Sequence, residues 1–213
     1  MSAVALVLAG GAAKRFGSDK LEAALDDRPL LHHAIEACAA MAPTIVLVLE
    51  PEAPPPLLPP SLGGRLLVAH DRVAHQGPLA GLAAGIEAAS AAVADADVAV
   101  VVGGDMPTLV PDVLRLLVER LDEPLAPGTS RPDAVTLEAE PAATLPLAVR
   151  IAPAADEART LLSTNRRSLR ELLGQLRSTR VEAAIWRALD PEGLTISDID
   201  TPDELVAARN RAP

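Results

Sequence analysis

The chain has 213 residues, 49% of them hydrophobic but only 1% aromatic, with no tyrosine, a formal net charge of −10 and a pI near 4.8. A chain of this length can bury a sizeable core as one domain, here built from Leu, Val, Ile and Ala. The scarcity of aromatic rings argues against base-stacking surfaces for single-stranded nucleic acid, and the acidic balance against a general polyanion surface; a small phosphorylated ligand stays compatible where positive charge is gathered locally.

The first apolar run, Ala3 to Ala9, ends at Gly10, and the second, Ile45 to Leu49, ends at EPEAPPP; Leu66 to Ala69 and Val98 to Val102 repeat the pattern. Their length and β-branched content predict strands buried on both faces. Between them lie predicted helices at Leu30 to Met41, Leu79 to Val93 and Val113 to Leu121, opened by Pro29, Pro78 and Pro111 in the first turn, where a helix tolerates proline. Further on, Ala134 to Leu137 and Thr144 to Ile151 read as strands, and Arg167 to Leu176 and Pro202 to Arg211 as helices. Such alternation predicts an α/β fold with a mainly parallel sheet, helices on both faces and ligands beyond the carboxyl ends of the strands. The last strands are expected to include an antiparallel member and to cover one side of the site, with Arg131 to Arg150 as a candidate wall. The proline-rich stretch at 51–64 reads as an exposed extended excursion and not as a boundary, so residues 1–213 are expected to form a single domain.

A lone cysteine, Cys38, has no intramolecular disulfide partner, the opening MSAVALVLAGG lacks the basic segment of a secretory signal, and no stretch approaches a clean membrane span. The expectations are a cytoplasmic protein, a monomer or weak homo-oligomer, with neither nucleic acid nor membrane as partner.

Four stretches can carry chemistry. LAGGAAKRFGSDK, residues 8–20, sets Gly10 and Gly11 directly after a strand, where backbone N–H groups can approach a ligand, and concentrates Lys14, Arg15 and Lys20 there. It matches neither the Walker pattern nor Gly-x-Gly-x-x-Gly. VAVVVGGDMP, residues 98–107, places Asp105 just past a buried strand. A carboxylate there either caps the next turn or binds Mg²⁺, a hard ion that takes one or two protein oxygens and completes its octahedron with water and phosphate oxygens. AHDRVAHQGPLAGLAAG, residues 69–85, puts Asp71 at a strand end, as a ligand contact or a plain cap, and Gly77 at a helix start whose backbone can meet a nucleobase edge or phosphate. ISDIDTPDELVAA, residues 196–208, carries Asp198 and Asp200 two apart on an extended segment, facing the same way, so that one of them can be a second metal ligand; Thr201 to Glu204 read as a helix cap. His32, His33, His70 and His75 show no compelling ligand spacing and read as packing or surface residues.

In order and spacing, LAGGAAKRFGSDK, GPLAGL, GGDMP and DIDTPDEL resemble the nucleotidyltransferases of molybdenum-cofactor biosynthesis, the guanylyltransferase group above all, over nearly the whole chain. The resemblance implies a Rossmann-like three-layer α/β/α fold of the nucleotide-diphospho-sugar transferase type. It also implies GTP or another NTP as donor, Mg²⁺ as cofactor and a small phosphorylated acceptor, molybdopterin. Carried over by residue, Leu8, Ala9 and Gly10 would contact the nucleotide, Gly11 and Arg15 would line the phosphate loop, and Lys20 would hold phosphate. Asp71 would contact the nucleotide and Asp105 would bind magnesium. Catalysis would then rest on Arg15, Lys20 and Asp105, with Asp200 joining Asp105 at the metal while the acceptor phosphate attacks the α-phosphorus and pyrophosphate leaves.

Two departures stand out. IVLVLEPEA has no asparagine after the second strand, where the family often uses one for the nucleotide, and Asp-Ile-Asp-Thr-Pro replaces the Asn-x-Asn-Thr-Pro common in the guanylyltransferases. Competing readings are a cytidylyltransferase of molybdopterin, a guanylyltransferase for another small phosphorylated acid, and a non-catalytic nucleotide-binding protein.

Overall fold

The computed structural model describes residues 2–10, 20–71, 77–126 and 128–210. Its centre is β1 (Ser2–Leu8), the predicted first strand, whose side chains alternate between two apolar layers as period-two geometry requires. Ala5 and Val7 join one buried cluster, Val4 and Leu6 the other. β4 (Thr44–Leu49) and β6 (Ala96–Gly103) alternate in the same way, Ile45, Leu47, Val98 and Val100 on one face and Val46, Val48, Ala99 and Val101 on the other. This is why these strands read as unbroken apolar runs.

One seven-stranded sheet runs in the order β5-β4-β1-β6-β8-β7-β9, with β5 (Leu66–His70), β7 (Ala134–Leu137), β8 (Leu147–Arg150) and β9 (Ser178–Val181) as its remaining members. β8 pairs antiparallel with both β6 and β7, and every other pairing in the sheet is parallel. The antiparallel member expected from the sequence is therefore β8, shorter than the predicted Thr144 to Ile151 because Pro146 has no N–H to give to a ladder flanked on both sides. A separate two-residue hairpin, β2 (Ala24–Leu25) with β3 (Arg28–Pro29), precedes α1 (Leu30–Ala39).

Helices α1 and α3 (Pro111–Asp122) cover one face of the sheet; α2 (Pro78–Ala92), α4 (Ile151–Ser163) and α5 (Leu169–Gln175) cover the other. α2 lies close on the sheet because it turns glycine toward it: a Cβ on Gly85 would stand 3.0 Å from Val48 Cγ2 and 3.1 Å from Leu6 Cδ1. A short helix α6 (Ala183–Trp186) buries Trp186, whose indole N–H donates to the Glu138 carbonyl at 3.0 Å. The chain ends in α7 (Pro202–Arg209), with Leu205 packed on Leu25, Leu30 and Ile199.

The chain winds outward from β1 through β4 to β5, then returns to the other side of β1 at β6. The carboxyl ends of β4, β1 and β6 therefore frame the crevice at which a sheet of this kind places its ligands. Among the described residues no helix is long and apolar enough to cross a membrane.

Candidate active site

Main-chain bonds continue past the strand ends and fix the residues that follow them. The N–H of Ala9 donates to Val48 O at 2.8 Å, that of Gly104 to Leu8 O at 2.9 Å, and that of Asp71 to Leu49 O at 2.9 Å. Asp105 thereby follows β6 within a tight turn in which Met106 N–H donates to Gly103 O at 3.3 Å. Both preceding glycines leave room for close neighbours: a Cβ at Gly103 would stand 2.3 Å from Asp105 Oδ1 as that side chain is turned here, and one at Gly104 3.0 Å from Leu31 Cδ1.

Lys20 opens a one-turn 3-10 helix, Lys20–Glu22, and its ammonium nitrogen donates to Asp105 Oδ2 at 2.8 Å and to Asp200 Oδ1 at 2.7 Å. The lysine side chain is 13% exposed, the two carboxylates 26% and 48%. Burial works against its charge, but the hydrogen bonds and charges of Asp105 and Asp200 outweigh that and hold the Lys20 pKa above the ordinary lysine range. The Asp198 pKa is also raised, by burial first and then by the charges of Asp200 and Asp105, which in a carboxyl disfavours the charged form.

Asp200 is positioned by the cap of α7. Thr201 Oγ1 accepts from Glu204 N–H at 3.3 Å, while Glu204 Oε2 accepts from the N–H groups of Thr201 at 2.8 Å and Asp200 at 2.7 Å. This is the capping box that Thr201 and Glu204 predict. Upstream, Thr108 Oγ1 donates to Leu194 O at 2.8 Å and Thr195 Oγ1 accepts from Val110 N–H at 3.2 Å, which docks the 3-10 turn Leu194–Ile196 on the loop after Asp105. Buried Asp190 braces that turn by accepting from Gly193 and Thr195 N–H.

Two cavities meet at Asp105. The first, about 560 Å³, is lined by Leu8, Ala9, Gly10, Lys20, Asp105 and Asp200, and also by Glu50 and Pro54 to Pro56. The second, about 640 Å³, is lined by Asp105, Thr108, residues 140–145, Asp198 and Glu204. Asp198 and Asp200 thus open onto different cavities, which corrects the expectation that they face the same way: residues 197–200 belong to no strand, so period-two alternation does not apply to them. Within the stretch Arg131 to Arg150, residues 140–145 line the second cavity.

Of the residues singled out in the sequence, the structure brings together Leu8, Ala9, Gly10, Lys20, Asp105 and Asp200. Gly11 and Arg15, like Lys14 and His75, lie outside the described residues. Asp71 lines a different cavity, with Ala80, Ala84 and Arg159 on the α2/α4 side. Gly77 has a conformational reason to be glycine, with φ 78° and a Cβ position 2.9 Å from Arg167 O, and the first cavity's described lining does not include it.

The lining by Glu50 and the prolines is not evident in the sequence, where 51–64 reads only as an exposed excursion. The segment does run exposed at Pro54 and Pro55, yet two histidines anchor it. His32 Nε2 bonds Leu57 O at 2.7 Å and His70 Nε2 bonds Ala53 O at 3.1 Å; a carbonyl only accepts, so each ring nitrogen is the donor. His33 likewise donates from Nε2 to Leu25 O at 2.9 Å, so these three histidines are packing residues as expected.

The family described as the MobA-like NTP transferase domain matches residues 5–187. The chain belongs to this family. MobA-like relatives include a probable molybdenum cofactor guanylyltransferase of Thermococcus kodakarensis, 34% identical over 130 residues, covering 59% of this chain and 57% of that protein. A protein of the same name from Pyrococcus furiosus is 34% identical over 122 residues, covering 56% of each. The chain thus matches somewhat more than half the length of these relatives. Among solved structures, molybdopterin-guanine dinucleotide biosynthesis protein A from Archaeoglobus fulgidus superposes with a TM-score of 0.72 at 22% identity, over 97% of both chains. The 4-diphosphocytidyl-2C-methyl-D-erythritol synthase from Anaerococcus prevotii superposes with a TM-score of 0.67 at 10% identity, over 98% of this chain and 95% of that one. The MobA-like chain therefore has the Rossmann-like fold of the nucleotide-diphospho-sugar transferases.

Proposed function

We propose that the protein transfers the guanylyl group of GTP to the phosphate of molybdopterin, with release of pyrophosphate. The observation that carries this reading is that Asp105 lines two cavities at once. A transfer between two substrates needs them on either side of a shared charged group, and family membership supplies the class of reaction. GTP and the molybdopterin acceptor are supported by the names of the 34% identical relatives.

The first cavity takes the nucleotide in this reading, with the backbone at Leu8 to Gly10 close to it and Lys20 facing its phosphates; Gly11 and Arg15 complete the phosphate contacts. Asp71 and Gly77 are assigned to the nucleotide by motif alone, since the cavity they would join lies elsewhere. The second cavity takes the acceptor. Its phosphate monoester, with a second pKa of about 6, is already a nucleophile near neutrality, so no protein base is required. An oxygen lone pair of the acceptor forms the new bond to the α-phosphorus. The bond from that phosphorus to the bridging oxygen breaks, and pyrophosphate departs with the electron pair. The protein contributes alignment and neutralisation of charge.

Asp105 and Asp200 fit Mg²⁺. Each places a carboxylate oxygen within 2.8 Å of one point, the Lys20 nitrogen, and Mg²⁺ commonly uses one or two carboxylates plus phosphate oxygens. Bound there, Mg²⁺ would offset charge on the α-phosphate. A cytoplasmic location belongs to the same proposal; it suits Cys38, a buried free thiol whose pKa burial pushes up to about 12.

The test is pyrophosphate release on incubation with each NTP, Mg²⁺ and candidate acceptors. GTP with molybdopterin is the expected productive pair. CTP as the only productive donor would convert the assignment to a cytidylyltransferase, and nucleotide binding without pyrophosphate under any pairing would reject catalysis.

A further inference from the structure

We infer that Lys20 is a built-in counter-ion that reserves the Asp105 and Asp200 carboxylates and releases them to a divalent cation only when a triphosphate draws the lysine away. The inference rests on the proposed nucleotidyl transfer for what the triphosphate is, and on the geometry alone for the competition.

Three facts carry it. The Lys20 nitrogen sits 2.8 Å from Asp105 Oδ2 and 2.7 Å from Asp200 Oδ1, so one ammonium group satisfies an oxygen of each carboxylate. A small divalent cation bonds carboxylate oxygens at about 2.0 to 2.1 Å. A cation that bridges the two carboxylates at the point where they converge would have to stand where the ammonium nitrogen stands, with two like charges in contact. Both arrangements cannot hold together. Thirdly, Lys20 lines the same cavity as the strand-end backbone at Leu8 to Gly10, so a triphosphate entering that cavity meets the ammonium group and offers it anionic oxygens in exchange for the two aspartates.

Without Lys20 the carboxylates of Asp105 and Asp200 would face one another's charge, since the bond from Ile199 N–H to Asp105 O holds the two segments together. The lysine neutralises part of that repulsion. Its cost is weak affinity for a divalent ion in the absence of nucleotide. The consequence is an order of events: nucleotide first or together with the ion, never the ion alone at low concentration. The side chain of Lys20 therefore has two successive partners, the aspartates and then the phosphates.

The probe is Mn²⁺ without nucleotide, followed by loss of the free-ion electron paramagnetic resonance signal, for wild type, Lys20→Met and Lys20→Met/Asp200→Asn, with folding checked by circular dichroism. Lys20→Met should bind Mn²⁺ about tenfold or more tightly than wild type, the scale of removing competing charge-assisted hydrogen bonds, and the double variant should lose that gain. Equal or weaker binding by Lys20→Met overturns the inference, as does a gain that survives Asp200→Asn. If Lys20→Met fails to fold, Lys20→Gln takes its place under the same criteria. In a second arm, the side-chain ammonium resonance of Lys20 should move when GTP is added to the wild type in a chelator; an unmoved signal while GTP binds would also overturn it. Pyrophosphate assays separate the two claims. A Mn²⁺ gain in Lys20→Met, together with no pyrophosphate from the wild type with any NTP and acceptor, would remove the nucleotidyl transfer and leave the counter-ion role standing.

Discussion

Ile199 donates its backbone N–H to the carbonyl oxygen of Asp105 across 3.0 Å. This bond joins the loop after β6 to the segment before α7, and so sets the spacing of Asp105 and Asp200 through the main chain. The Ile199 side chain adds to the hold by packing with Leu25, Leu30 and Leu205. The two carboxylates that face Lys20 are thus placed by buried apolar contacts and backbone geometry, and their side chains need only turn inward.

Replacing Asp105 by Asn keeps the shape of the turn and removes the charge at the junction of the two cavities. Turnover should fall about 10²- to 10³-fold, the scale of losing one preorganised electrostatic group, while the thermal midpoint stays near that of wild type. Lys20→Ala should lower turnover by a similar factor. Pyrophosphate release at saturating nucleotide measures both, and unchanged turnover in either folded variant would reject its assignment.

The capping box of α7 makes a graded test of positioning. Thr201→Ala removes the hydroxyl that accepts from Glu204 N–H, and should cost about 1 kcal/mol of stability, the usual value of an N-cap. Because the same box holds the Asp200 N–H on Glu204, the variant should also lose some turnover, less than Asp105→Asn does. Urea denaturation and steady-state rates measured on one preparation decide it; full activity at wild-type stability would show that the box does not position Asp200.

The difference between what is legible in the sequence and what is not follows physical lines. β1, β4, β6 and β7 contain the unbroken buried runs Val4 to Val7, Ile45 to Leu49, Val98 to Gly103 and Ala134 to Leu137, and such runs announce themselves without a partner in view. α4 escapes the sequence reading although Ile151, Ala154, Ala158 and Leu161 recur at helical spacing, because Pro153 interrupts the start; it stands in the first turn, where it removes no internal bond. β9, Ser-Thr-Arg-Val, is an edge strand buried only at Val181, and its pairing with β7 leaves no apolar signature. In the site, the motifs name Lys20, Asp105 and Asp200, yet the meeting of residues 85 and 180 positions apart depends on strand order and the Ile199 bond, neither of which is local. Glu50 carries no motif. Its place follows from β4 lying beside β1, which sets its side chain against Gly10, 3.4 Å from where a Cβ would be.

Gly77 separates a conformational role from a binding one. Alanine there would hold φ near 78° and bring a Cβ within 2.9 Å of Arg167 O, so Gly77→Ala should destabilise the fold by about 2 kcal/mol. A denaturant midpoint indistinguishable from wild type would show that the backbone relaxes freely at this point, and would return Gly77 to consideration as a ligand residue alone.

Stability should depend on acid through the pair that ties β7 to β9. Asp133 is 6% exposed and accepts from Arg177 Nε at 2.6 Å and Nη2 at 2.5 Å, and from the Arg177 N–H at 3.3 Å. The Arg177 side-chain hydrogen bond outweighs burial and holds the Asp133 pKa below its ordinary 3.8. A depressed carboxylate binds its proton more readily in the unfolded chain than in the folded one. Its stabilisation is therefore complete well above pH 4 and fades as the pH falls through the ordinary value toward the folded one. Asp133→Asn should cost about 1 to 2 kcal/mol at pH 7, the range for charge-assisted hydrogen bonds to a half-exposed arginine. The gap between the variant and wild type should narrow as both are unfolded in urea at successively lower pH down to 3. A gap of constant size across that range would mean that the substitution acts through packing and not through the charge of Asp133.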